Sequence, residues 1–165
     1  MASYVPDGIT KINRSQFLTY LDTTPASTAT WKILGVGITE YGIDFNPQVD
    51  TEKWIIEDNA RTDHSSNQKQ GSVTQRCSKG DPVFEFVSAG RDKLNYKTHI
   101  LDIDRWNGTG TTYPAKMSDV IITVTSYMGE NAQIEYDIYY DGDSTEGTVT
   151  FDGNGNPSFQ ETTSL

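Results

Sequence analysis

The chain has 165 residues, a formal net charge of -10 and a hydrophobic share of 35%. That length fits one domain, and the low apolar content with fourteen glycines implies short strands, turn chemistry and a sizeable unpacked fraction. No run of about 18 apolar residues occurs and Met1-Ala2-Ser3-Tyr4 opens into polar sequence, so no membrane-spanning segment or export signal is expected, and synthesis in the cytoplasm is.

Cys77 is the only cysteine, which excludes an intrachain disulfide. With His64 and His99 it has no metal-ligand spacing and no nucleophile signature, so a buried, inert thiol is expected and neither zinc nor any other cofactor. The charge is unevenly spread. All thirteen Lys and Arg lie between Lys11 and Lys116, and nine acids with no base among them follow Lys116. Phosphate backbones are held by clustered cations, so this C-terminal part would repel nucleic acid.

In chain order, residues 1–28 contain Pro6, Gly8 and Pro25 and one apolar cluster at Phe17, Leu18, Tyr20 and Leu21, and are expected to form an N-terminal arm. Trp31 to Ile38 reads as a strand with Gly35 and Gly37 on one face, open to close approach by a second segment. Tyr41 to Phe45 and Val49 to Ile56 flank the turn-forming Asn46-Pro47-Gln48 and read as a hairpin. Glu57 to Ser72 has no large apolar residue and is expected to be a structureless loop that orders against a partner.

Val73 to Ser78 reads as a strand. Asp81-Pro82 is a strong helix start, a capping carboxylate followed by proline at the first helical position. It predicts a helix over about 81–93 with Val83, Phe84, Val87 and Leu94 near one stripe. Strands follow over Lys97 to Trp106, Val120 to Met128, Gln133 to Tyr140 and Thr148 to Phe151. The clearest alternation sets Ile134, Tyr136, Ile138 and Tyr140 toward a core and Gln133, Glu135, Asp137 and Tyr139 toward water. Asp141-Gly142-Asp143 and Asp152-Gly153-Asn154-Gly155-Asn156 lack the calcium-loop spacing and read as turns bracketing the last strand. Residues 29–152 are thus the expected β-domain and 153–165 a C-terminal tail.

Four stretches in order, Trp31 to Glu40, Asp44 to Thr51, Trp54 to Asp58 and Lys79 to Phe86, resemble the major tail tube proteins of siphophages and related prophages of Gram-positive bacteria. The likeness continues through Ile134 to Phe151. It implies a mainly β fold, a β-sandwich or barrel-like core with one short α-helix and extended terminal arms and loop. It implies a non-enzymatic subunit of the virion tail that forms hexameric rings, stacked into a hollow tube that conducts genomic DNA from capsid to host without specific binding. A tape measure protein and tail terminator and distal tail proteins are implied as further partners.

On that likeness the polar segment 57–72 takes the inter-ring role, with Glu57, Asp58, Arg61, Asp63 and Lys69 as contact residues. Glu135 and Asp137 are the candidate lumen-facing acids, because their opposite strand face is core. Two other classes fit the residues less well. A carbohydrate-binding β-sandwich would stack sugars on Trp31, Trp54, Trp106 and the tyrosines. An enzyme would need a cleft to perturb a pair such as Asp102 and Asp104, two apart on one strand.

Overall fold

A computed structural model describes residues 8–163. Residues 1–7 of the expected arm and 164–165 of the expected tail lie outside the described residues. The fold is mainly β: nine strands, one α-helix and two single-turn 3-10 segments among the described residues.

β1 (Phe17–Asp22) is the first correction. Residues 17–22, expected within an arm, pair on both sides and bury Thr19, Tyr20, Leu21 and Asp22. Its apolar residues fall on both faces, Leu21 in one core cluster and Leu18 and Tyr20 in the other, and polar Thr19 and Asp22 are buried among them, so the run carries no alternation. β2 (Trp31–Ile33) pairs antiparallel with β1. It stops at Ile33 rather than Ile38, because Gly35 opens a turn closed by the Ile38 N–H donating to the Gly35 carbonyl. The expected close approach does occur at Gly37, where an added Cβ would lie 3.2 Å from Arg76 backbone.

β3 (Pro47–Glu52) pairs with β4 (Arg61–Asn67) as a separate two-stranded sheet. The hairpin expected between 41–45 and 49–56 is therefore replaced by one between 47–52 and 61–67. The segment 57–72 is not structureless: it holds all of β4 and the start of β5 (Gln70–Arg76). Every residue of β3 and β4 is exposed, so neither strand carries the apolar alternation by which a half-buried strand is recognised.

α1 (Pro82–Ala89) starts as expected. Oδ1 of Asp81 accepts from the Val83 N–H at 3.1 Å and proline occupies the first turn. It ends at Gly90 rather than 93, and Leu94 is 93% exposed, outside the stripe that Val83, Phe84 and Val87 form. Tyr96 sets this end: its ring stacks 4.9 Å from Phe86 and would lie 1.9 Å from a Cβ at position 90.

β6 (Tyr96–Asp104), β7 (Tyr113–Tyr127), β8 (Gln133–Phe151) and β9 (Pro157–Glu161) complete the main sheet, in the order β2-β1-β6-β7-β8-β5 with β9 also on β8. β8 runs through Asp141-Gly142-Asp143, which was expected to turn the chain. Its register against β7 jumps there: Met117 faces Thr145 but Asp119 faces Asp141. Gly142 adopts φ 80, and a positive-φ glycine serves a bulge as readily as a hairpin. Asp152 to Asn156 is a true turn, since β9 returns antiparallel along β8. Residues 157–161 of the expected tail are therefore sheet.

The bulge divides the sheet into two regions. In the first, residues 34–44 leave β2 and reach β5 through bridges at Ile38–Gln75 and Asp44–Gln70, nearly closing a barrel. Leu21, Ile100, Val120, Ile134, Tyr136 and Ile138 fill this core against Val83, Phe84 and Val87 of α1. The alternation expected on β8 is present: Ile134, Tyr136 and Ile138 are buried while Glu135 and Tyr139 are exposed. In the second region Leu101, Ile103, Ala115 and Val149 face the opposite side of the same strands and form a smaller cluster with Tyr20. Here β2 and β9 each pair with one neighbour only, leaving two open edges among the described residues.

Candidate assembly surface

The β3–β4 hairpin stands on the barrel at one joint, where the Gln68 N–H donates to the Phe45 carbonyl at 2.9 Å and Asn46 takes φ 43. Two strands exposed on both faces bury too little to be stable by themselves. Its loop, residues 53–60, is built around Arg61, whose guanidinium carbon sits 4.0 Å from the Trp54 ring centroid. Arg61 Nε donates to both carboxylate oxygens of Glu57 at 2.9 Å, and this bond holds the guanidinium further toward its charged form. Beyond that brace Ile55 and Ile56 are 102% and 84% exposed, with Trp54 at 45%.

Four of the five expected loop residues lie on this element. Glu57 and Arg61 brace its tip, Asp58 is exposed beside it, and Asp63 sits on β4 directly opposite Asp50 of β3. Like charges directly opposite destabilise a strand pair, so this position weakens the hairpin on its own. Lys69 is placed elsewhere. It lies at the hairpin root, with its ammonium 5.4 Å from the Phe45 ring and 5.8 Å from that of Tyr140, donating to Ser144 Oγ at 3.4 Å. The apolar tip escaped sequence reading because Trp54, Ile55 and Ile56 fall at the end of an apparent strand; the acids after Ile56 were the one available signal.

Glu135 and Asp137 lie on the water-facing side of the barrel wall. Asp137 accepts from Ser72 Oγ at 2.8 Å and Tyr139 Oη at 3.3 Å, while Glu135 is exposed opposite Thr74. The surrounding face of β5 is polar too, with Ser72, Thr74 and Arg76 exposed.

On the side of the second cluster a groove of about 370 Å³ opens between β1, β7 and β8, lined by Leu18, Tyr20, Tyr113 and Phe151 with Arg105, Thr111 and Gly155 at its margin. Tyr20 and Tyr113 hold Phe151 between them at ring separations of 6.2 and 5.7 Å. Arg105 lies 5.6 Å from the Tyr113 centroid.

Asp102 and Asp104 lie on β6, in the wall of the main sheet. Asp102 Oδ2 accepts from Tyr140 Oη at 2.8 Å and Oδ1 from Thr19 Oγ1 at 3.0 Å. Burial raises its carboxyl to about 6, against the lowering effect of those two hydroxyls and Lys69. The Tyr41 hydroxyl is buried with no hydrogen-bond partner among the described residues, and burial raises it. Cys77 is half-buried, its thiol raised by burial. Neither histidine ring bonds to it: His64 faces Asn67, and His99 lies between Asp22 at 3.0 Å and Asp119 at 3.3 Å. The three tryptophans stand on three elements, β2, the hairpin tip and the 3-10 turn Arg105–Asn107. No helix among the described residues is long and apolar enough to cross a membrane.

No family model matches the chain, and no curated protein sequence is significantly similar to it.

Proposed function

We propose that this chain is the structural, non-enzymatic subunit of a bacteriophage tail tube, in which hexameric rings stack into a hollow channel for DNA in the virion tail. The observation that carries the reading is the β3–β4 hairpin: a braced, two-stranded projection, exposed along both strands and ending in three apolar residues. Such an element gains stability only from a partner. The open edges of β2 and β9 support lateral joining, since unpaired edges are templates for another chain and monomers normally protect them.

In the tube the polar wall carrying Glu135 and Asp137 faces the channel. A duplex bears about one negative charge per 1.7 Å, so a cationic bore would capture DNA by counterion release, and an acidic one leaves it free to slide. Like charges repeated around a ring oppose assembly over about 8 Å at physiological ionic strength, so moderate salt promotes polymerisation. The tape measure, terminator and distal tail proteins are further partners on this reading.

The test is excision of residues 47–67. Phe45 and Gln68 are already hydrogen-bonded, so a two-glycine link between Asn46 and Gln68 leaves the barrel intact. Micrographs and sedimentation of the full chain in moderate salt should give rings and tubes; the excised chain should melt as the full chain's barrel does and form no tubes. Long tubes from the excised chain, or a full chain that stays monomeric at high concentration in every salt, would defeat the reading.

A further inference from the structure

We propose that the hairpin tip of one copy, Trp54-Ile55-Ile56, docks in the groove between β1, β7 and β8 of a second copy. This rests on the self-assembling reading above and adds the acceptor. Isolated exposed apolar residues are ordinary, but here three are consecutive, and the turn that carries them is braced at both ends: Arg61 stacks on Trp54 and pairs with Glu57, and the Glu57 N–H donates to the Trp54 carbonyl at 3.0 Å. A turn braced in this way loses less backbone freedom on binding than an open loop. The groove is its complement: an open, aromatic-walled concavity over the buried Leu101 and Ile103.

Charge selects the same occupant. Arg105 stands on the groove margin over Tyr113 and makes no ion pair among the described residues. Asp58, two residues beyond Ile56, is exposed and likewise unpaired. With Ile55 and Ile56 seated, Asp58 faces Arg105. Knob and groove occupy different surfaces of one chain, so the contact is heterologous and repeats from copy to copy, as stacking requires.

The experiment uses full-length chains in a Cys77→Ser background, one of each mixed pair carrying a mass tag. Chains with Ile55→Cys are mixed with chains carrying Thr111→Cys at the groove margin, or Leu94→Cys in the turn that follows α1, all exposed sites, and oxidised. Tagged disulfide dimers should form roughly tenfold or more in excess for Thr111→Cys over Leu94→Cys. By sedimentation, Ile55→Asp should weaken self-association roughly tenfold or more. Asp58→Arg and Arg105→Asp should each weaken it, and mixing copies of the two should restore it. Equal cross-linking at both sites, or wild-type assembly by Ile55→Asp, overturns the groove as acceptor while leaving the tube reading intact. A wild-type chain that never associates defeats both.

Discussion

Gln75 Nε2 donates to Asp81 Oδ2 at 2.7 Å while Gln75 Oε1 accepts from Tyr136 Oη at 2.9 Å, so a fully buried glutamine ties β8 and β5 to the helix cap. Asp81 spends its other oxygen on Val83 N–H. One carboxylate thereby fixes both the start of α1 and its seat on the sheet.

Asp81→Ala removes the cap and leaves Gln75 with a buried unsatisfied donor, and should cost about 2–4 kcal/mol. Asp81→Ser keeps a capping oxygen but not the reach to Gln75, and should lose about half as much. Urea unfolding monitored by circular dichroism should show a lower midpoint for both with an unchanged slope.

Asp102 makes stability depend on pH. Its folded carboxyl is raised to about 6 from 3.8, so the fold binds this proton more tightly than the unfolded chain does. The stabilisation is fully present below about pH 4 and is lost as pH rises through about 6. Asp102→Asn keeps a neutral acceptor for Tyr140 or Thr19 and should be more stable than wild type by about 1–3 kcal/mol at pH 8. The two proteins should converge near pH 3.5 in paired melts across that range.

Tyr41 buries a hydroxyl beside that of Tyr140, with no well-formed hydrogen bond to any of the described residues. Tyr41→Phe removes the desolvated oxygen at constant shape and should be neutral to stabilising by about 1 kcal/mol. A midpoint lowered by more than that in chemical unfolding would mean the hydroxyl is bonded in solution.

Charge reversal at Glu135 and Asp137 tests the proposed channel face. Neither side chain supports the core, so Glu135→Lys with Asp137→Lys should leave the melting temperature within a few degrees. On the tube reading, assemblies built from it should retain DNA at low ionic strength and release it as salt is raised, whereas wild-type assemblies should retain little at any salt. Filter retention of labelled duplex by assembled tubes measures this directly.

Residues that are apolar on one side and polar on the other were legible from the chain alone. The alternation from Gln133 to Tyr140 placed Ile134, Tyr136 and Ile138 inside, and Asp81-Pro82 located the helix start, because burial and capping act within a few residues. The acids after Lys116 were equally plain. Tertiary structure decided the rest. Phe17 to Asp22 became an interior strand because β2 and β6 pair its two edges while the two core clusters cover its faces, Leu21 in one and Tyr20 in the other. Arg61 to Asn67 became a strand with every side chain in water because the backbone of β3 satisfies it, and Asp141-Gly142-Asp143 bends a continuous strand because β7 continues past it. The groove draws on Leu18, Tyr20, Tyr113 and Phe151, and Asp102 meets Tyr140 and Thr19. Those residues lie far apart along the chain, and only the pairing of β1, β6, β7 and β8 brings their side chains within reach.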